Sequence, residues 1–78
     1  MKRALTYSVV LEPQPEGGFL VVVPALPEVV TEGDTEVEAL TMAEDAIRLA
    51  LAARHAHGDP LPEPDQSRLH KVTVRAQA

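Results

Sequence analysis

The chain has 78 residues, no cysteine, 45% apolar residues and a formal charge of −5 at pH 7. A chain of this length buries only about two-thirds of its unfolded surface, so we expect one marginally stable domain, residues 1–78. Without cysteine it has no disulfide or thiolate metal site to add stability. We therefore expect it to form a homodimer or a larger assembly. Twelve acidic against seven basic residues argue against direct nucleic-acid binding, and the absence of a transmembrane-length stretch and of a secretory signal predicts a cytoplasmic protein without membrane contact.

The first predicted strand covers Leu5 to Leu11. Its odd-numbered residues are Leu, Tyr, Val and Leu, whereas Thr6 and Ser8 fall on the opposite face. This alternation is typical of a sheet that is covered mainly on one side. Gly17 and Gly18 then favour a hairpin turn, because glycine adopts positive φ at little steric cost.

The second predicted strand, Phe19 to Val23, is apolar on both faces. In a sheet with a single helix layer, one of these faces meets water. Two interpretations stay open. Either another protomer or a partner covers that face, or the strand is simply central in a small sheet and exposes some valine.

A proline corner and a helix start follow. Pro24 and Pro27 stop the second strand, and Val29 to Thr31 falls where a third strand is expected. Thr35 and Glu38 fit the S/T-x-x-E capping box, in which each side chain accepts a hydrogen bond from the other residue's backbone N–H. The pattern predicts a helix that begins at about Glu36.

The helix is predicted to run to about His57. Its core face consists of Leu40, Ala43, Ile47, Ala50 and Leu51. A second apolar flank is a further indication of self-association, although alanine is also a strong helix former without any partner; it comprises Ala39, Met42, Ala46, Leu49 and Ala53.

Gly58 is expected to end the helix, and three prolines up to Pro64 keep the next segment extended. Alternation from Leu69 to Arg75 predicts a last, short edge strand. The predicted fold is therefore α+β, a small antiparallel sheet in the order β-β-β-α-β with one long helix packed on one face.

Two clusters resemble metal sites. The acidic cluster comprises Glu32, Asp34, Glu36, Glu38, Glu44 and Asp45, but carboxylates at a helix N-terminus also complement the helix dipole. His55 and His57 lie two residues apart on a helix and so point about 200° from each other, which does not suit one metal ion. There is no cysteine nucleophile, no nucleophile elbow and no phosphate-binding glycine loop. We therefore expect no metal, no cofactor and no catalytic residue.

The order of these features resembles the N-terminal domain of HicB-type antitoxins. The resemblance covers about Tyr7 to Pro64 and depends on Tyr7 to Leu11, Glu16 to Phe19, Pro24 to Pro27, Thr31 to Thr35, Glu38-Ala39, Ala43 to Ile47 and Gly58 to Pro64. It implies the partial ribonuclease H-like fold of that family, without the activity, because Leu5 to Leu11 contains no carboxylate. The family's usual Pro-Asp-Leu-Pro-Gly corner has Ala25 and Glu28 here, so we expect the corner to form with altered local contacts and carry over no role that depends on the usual side chains at those two positions.

Many such antitoxins resemble a fusion of this domain to a C-terminal DNA-binding module, and here the sequence continues only through one predicted strand, so we expect no DNA binding by this chain alone. The resemblance implies an antitoxin that binds and occludes a small basic HicA-type ribonuclease toxin. The alternative is a stand-alone homo-oligomeric module, a relic of such a system, that binds another protein or a ligand. A metal-dependent nuclease using Asp34 or Glu38 is the third and least favoured class.

The candidate partner-binding residues are Phe19, Leu26 and Glu28. Each has an ordinary structural alternative. Phe19 would otherwise lie in the core, Leu26 would fill the proline corner, and Glu28 would be a solvated charge.

Overall fold

The computed structural model describes residues 4–77 and contains three strands followed by one helix, namely β1 (Val10–Pro13), β2 (Phe19–Val22), β3 (Val30–Gly33) and α1 (Glu36–Ala56). The strands form an antiparallel sheet in the order β1-β2-β3. Helix α1 packs across one face of the sheet, mainly on β3 and β2. The predicted α+β class, with one long helix on one face of a small antiparallel sheet, is confirmed.

The hairpin between β1 and β2 turns at the two predicted glycines. Gly17 and Gly18 have φ values of 101° and 79°, the left-handed region in which a side chain is strained. The Gln14 amide donates to the Gly18 carbonyl at 3.0 Å, and the Gly17 amide donates to the Gln14 carbonyl at 2.9 Å. The turn thereby sets the register in which Pro13 lies opposite Phe19.

The proline corner consists of two successive turns. The Leu26 amide donates to the Val23 carbonyl at 3.0 Å, and the Val29 amide donates to the Leu26 carbonyl at 2.9 Å. These turns point Leu26 inward, where it is fully buried with Val21 and Val23. The corner thus contributes one of the three largest fully buried side chains of the core.

The first strand is shorter than the sequence predicts. The predicted strand began at Leu5, whereas β1 begins at Val10. The reason is the partner strand, because β2 ends at Val22, opposite Val10, and Pro24 then turns the chain away. The predicted inward face is nevertheless confirmed for Tyr7 and its neighbours, since Tyr7, Val9 and Leu11 pack against the core.

Helix α1 begins and ends close to the predicted residues. Thr35 is the N-cap, and its hydroxyl accepts a hydrogen bond from the Glu38 amide at 3.1 Å. The reciprocal half of the predicted box is wrong, because the Glu38 carboxylate accepts from the Asp34 amide at 3.2 Å instead. At the other end, Gly58 has a φ of 72° and its amide donates to the His55 carbonyl, as expected of a helix stop.

The buried face of α1 consists of alanines, which allow a close approach to the sheet. Ala39 and Ala43 are buried. Four partly buried apolar side chains of the helix also pack against the core, namely Ala46, Ile47, Ala50 and Leu51. A Cβ added at Gly33 would lie 2.6 Å from the Ala39 Cα, so the helix rests directly on the backbone of β3. Within residues 4–77, no helix combines the length and the apolar character that a membrane span needs.

The prediction of a last strand from Leu69 to Arg75 is wrong for the single chain. Residues from Leu69 to Arg75 form no strand, and all described residues from 66 onward are exposed. The alternating pattern is present, but a strand also needs a neighbour to receive its backbone hydrogen bonds. After its contacts with Tyr7 and Ser8, the C-terminal segment borders a cleft with residues 8–11, but none of its described residues pairs with a strand of the sheet.

Candidate protein-binding surface

The face of the sheet opposite α1 is not covered by any helix in the described part of the chain. Because successive residues of a strand point to opposite faces, the residues that alternate with the buried Val21 lie on this side. The strand register places them in two rows. We call this surface the open face; its first row is Val10, Val22 and Val30, and its second row is Glu12, Leu20 and Glu32.

The two rows differ in chemistry. The first row is entirely valine, and Val30 at its end is 69% exposed. In the second row, Leu20 lies between the exposed carboxylates of Glu12 and Glu32. Adjacent strands are about 4.8 Å apart, so the backbones of the two glutamates are roughly 10 Å apart across the sheet. Such a surface can desolvate an apolar patch on a partner and pair with two of its cations.

Local charge strengthens this preference for a cationic partner. The twelve acidic residues all lie between Glu12 and Asp65, and the basic residues in that range are Arg48 and Arg54 alone. Both arginines are already ion-paired, Arg48 with Glu44 and Asp45 at 2.8 and 3.3 Å and Arg54 with Glu28. Residues 12–65 therefore carry a strong excess of negative charge, which favours the approach of a basic protein.

The three sequence-predicted binding residues do not lie together on the open face. Phe19 is half-buried on the helix side of β2 and packs against the core. Leu26 is fully buried in the proline corner and does not reach the surface. Glu28 is exposed but paired, because the Arg54 Nε and Nη2 atoms donate to its two carboxylate oxygens at 2.7 and 2.9 Å.

The Glu28 to Arg54 pair joins the proline corner to the last turn of α1. The Arg54 guanidinium lowers the pKa of Glu28 from 4.5 to about 2, and Glu28 in turn raises the pKa of Arg54. The bidentate geometry is the strong form of an arginine to carboxylate contact. Glu28 is therefore occupied by an intramolecular contact.

A second set of contacts ties the C-terminal segment to the residues before β1. The Tyr7 hydroxyl donates to the Pro62 carbonyl at 2.6 Å, and the Ser8 amide donates to the Asp65 carboxylate at 2.8 Å. Hydrogen bonds from Ser8 hold the pKa of Asp65 well below its usual range. Residues 67–69 then border a cleft whose other wall is formed by residues 8–11 and Pro24.

The two metal-like clusters have other contacts in the structure. In the acidic cluster, Glu38 accepts from the Asp34 amide, and Glu44 and Asp45 pair with Arg48. The His57 ring Nδ1 lies 2.7 Å from the Ala53 carbonyl, at the end of the helix. Among residues 4–77, no group of three or more His, Asp or Glu side chains is arranged to hold a metal ion.

Sequence reasoning found part of this surface and missed the rest. The apolar residues on both faces of Phe19 to Val23 were the signal for the open face, since Leu20 and Val22 are the residues that alternate with Val21. Glu12 and Glu32 carried no such signal. They flank Leu20 only because β1 and β3 both pair with β2 in the observed register, which the residues around either glutamate do not specify.

Curated proteins similar to this chain include two antitoxins. Antitoxin HicB 1 of Photorhabdus laumondii is 43% identical over 62 residues, which are 80% of this chain and 40% of that protein. Antitoxin HicB of Escherichia coli is 38% identical over 72 residues, which are 90% of this chain and 52% of that protein. The chain thus spans about half the length of these antitoxins or less.

A third relative is matched over its whole length. UPF0150 protein Ta0767 of Thermoplasma acidophilum is 32% identical over 72 residues, which are 92% of this chain and 100% of that protein. Comparison with descriptions of known protein families gave no match.

Proposed function

Because this chain belongs to the family of HicB-like proteins, we propose that it acts as an antitoxin that binds and occludes a small basic ribonuclease toxin of the HicA type. The observation that supports this most is the open face, a valine row beside a row with two exposed carboxylates. The similar proteins named antitoxins support the same role. The proposal places the protein in the cytoplasm, where a ribonuclease meets its RNA.

The proposed mechanism is occlusion. A ribonuclease that grips RNA through phosphates needs clustered cations on its RNA-binding surface. Glu12 and Glu32 offer competing anions to that surface, and the valine row excludes water around them. RNA and this protein then cannot occupy the toxin together, and the mechanism needs neither catalysis nor direct contact with nucleic acid by this chain.

A second candidate function is a stand-alone homo-oligomeric module that binds another protein. The observation that favours it is UPF0150 protein Ta0767, which this chain spans completely and whose name states no toxin or antitoxin. The two functions predict different gene neighbourhoods. A gene for a very small basic protein beside this one favours the antitoxin, and its absence favours the module.

An RNA-cleavage assay tests the leading proposal. The purified HicA-type protein encoded beside this chain is incubated with RNA and increasing amounts of this protein. We expect cleavage to stop near a stoichiometric ratio, because occlusion consumes one binding surface per toxin. Polyglutamate at an equal carboxylate concentration is the control for charge alone and should inhibit far less. Cleavage that continues unchanged in excess protein would contradict the proposal.

A further inference from the structure

The last described residues form an exposed arm with the pattern of a strand. We define the arm as residues 66–77; it contains neither helix nor strand, and Val72 and Val74 are 83% and 78% exposed. Val72 and Val74 alternate with Lys71, Thr73 and Arg75. The radius of gyration is 15.2 Å, whereas a compact chain of this length has about 11–12 Å, so the arm projects from the body.

The root of the arm is held at the β1 side of the sheet. Asp65 binds the Ser8 amide, and residues 67–69 lie across a cleft from residues 8–11. Leu69 is therefore next to β1, while β3 is the strand at the opposite edge. A strand beyond β3 would lie about 14 Å from β1, whereas the three residues from Leu69 to Val72 span at most about 11 Å, so Val72 does not reach the outer edge of β3 in its own chain.

Apolar side chains of α1 lie above the outer edge of β3. Leu40 and Ile47 of α1 line a cavity with Leu5 and Tyr7, which fixes that flank of the helix on the β1 side. Met42 follows Leu40 by two residues, about 200° around the helix, and therefore lies on the flank toward β3 together with Leu49. Met42 and Leu49 are 41% and 71% exposed. We call them the β3 flank.

The outer edge of β3, beneath the β3 flank, can accept an added strand. β3 is an end strand, and within the described residues it pairs only with β2, so one side of its backbone has no strand partner. On the open face, β3 presents Val30 and Glu32, both exposed. A strand fits here if it carries apolar residues toward the helix and basic residues toward the open face.

We propose that the arm of a second copy of this chain adds to the outer edge of β3 as a fourth strand, with Val72 and Val74 under the β3 flank and Lys71 and Arg75 beside Glu32. Charge supports a second copy as the occupant. The arm carries Arg68, Lys71 and Arg75 and no acidic residue, whereas residues 4–65 carry all twelve acidic residues and only two arginines, both ion-paired.

The exchange is reciprocal, so two copies related by a twofold axis each give an arm and receive one. Backbone hydrogen bonds supply affinity, and the alternating side chains supply specificity. The arrangement accounts for the strand pattern of residues that form no strand in the single chain. The exchange needs no toxin, but it uses Glu32, which also lies on the open face. Variants of Glu12 and variants of the β3 flank therefore separate the two contacts.

Sedimentation equilibrium of the full chain tests the exchange. We expect a dimer with a dissociation constant in the micromolar range, and we expect the variant Val72→Asp/Val74→Asp to weaken it at least about 100-fold, because two valines lose their buried environment. Val37→Asp is the matched control, since it replaces another exposed valine on the solvent face of α1. A monomeric wild-type chain, or an arm variant as dimeric as the wild type, would overturn the proposal.

Mixing two variants separates arm exchange from other dimers. Met42→Glu/Leu49→Glu removes the receiving flank and keeps the arm, while Val72→Asp/Val74→Asp does the reverse. Each variant alone should be monomeric, and their mixture should form a heterodimer with one intact arm contact, visible by native mass spectrometry. A mixture without heterodimer contradicts the exchange.

Charge reversal gives a second test that leaves the apolar contacts intact. Glu32→Lys and Lys71→Glu/Arg75→Glu should each weaken the dimer, and the chain that carries all three changes should recover it. If the chain with all three changes still dimerises weakly, Glu32 does not contact Lys71 or Arg75, and the proposed arrangement of the arm is wrong. Circular dichroism confirms that each variant is folded before its mass is interpreted.

Discussion

At the scale of single residues, Glu28 shows how a surface charge becomes a structural contact. The sequence predicted either a partner-binding residue or a solvated charge, because nothing near Glu28 in the chain suggests a cation. Arg54 is 26 residues away and reaches it only after the corner and the helix are both in place. Leu26, by contrast, could be predicted as a corner plug, because a leucine between two turn-forming prolines points inward in a small domain.

The Glu28 to Arg54 pair predicts a pH dependence of stability. The pKa of Glu28 is lowered from 4.5 to about 2 in the folded protein, so its stabilising contribution is complete above pH 4.5 and is lost as the pH falls toward 2. We therefore expect the free energy of unfolding to fall in this window, and to fall less steeply in Glu28→Gln. Denaturant titrations across this range measure the slope.

Glu16→Gln is the control for this pH experiment. Glu16 is an exposed carboxylate in the hairpin turn, without an ion-pair partner among the described residues. Its replacement should leave the slope unchanged. Equal slopes for Glu28→Gln and the wild type between pH 2 and 4.5 would mean that the pair contributes nothing in solution.

At the scale of elements, the sequence predicted what local chemistry decides. The hairpin at Gly17, the helix start at Thr35 and the helix stop at Gly58 were all correct, because glycine and capping residues act on their neighbours in the chain. Strand lengths were not predictable in the same way. Where β1 begins depends on where β2 ends, and whether the arm forms a strand depends on a backbone partner that its own sequence does not specify.

The close contact between α1 and β3 predicts that adding one methyl group at Gly33 strongly destabilises the fold. A Cβ at Gly33 would overlap the backbone of Ala39, so we expect Gly33→Ala to lower the free energy of unfolding by about 3 kcal/mol as the helix is pushed from the sheet. Gly58→Ala is the matched control, because its Cβ would meet open space and only the positive φ costs about 1 kcal/mol. Urea denaturation compares the two, and equal losses would contradict the close packing.

At the scale of the whole molecule, the sheet packs one face against α1 to form the core and leaves the other face uncovered by any helix of the described residues. The helix covers Val21 and its neighbours, while the valine row and the two glutamates face outward. The sequence indicated that the second strand is apolar on both sides. It did not indicate that two carboxylates flank Leu20, because their proximity arises only when β1 and β3 pair with β2 in the observed register.

The affinity of the HicA-type protein for charge-reversed variants tests the open face most directly. Glu12→Lys/Glu32→Lys is compared with Glu16→Lys/Glu63→Lys, which has the same net charge but changes exposed residues away from the open face. Glu12→Lys alone leaves the β3 edge intact and so separates toxin binding from arm exchange. We expect the open-face pair to raise the dissociation constant at least about 100-fold and the control pair to raise it by no more than about threefold. Equal losses of affinity in the two pairs would contradict the account, because the toxin would then respond to net charge and not to this surface.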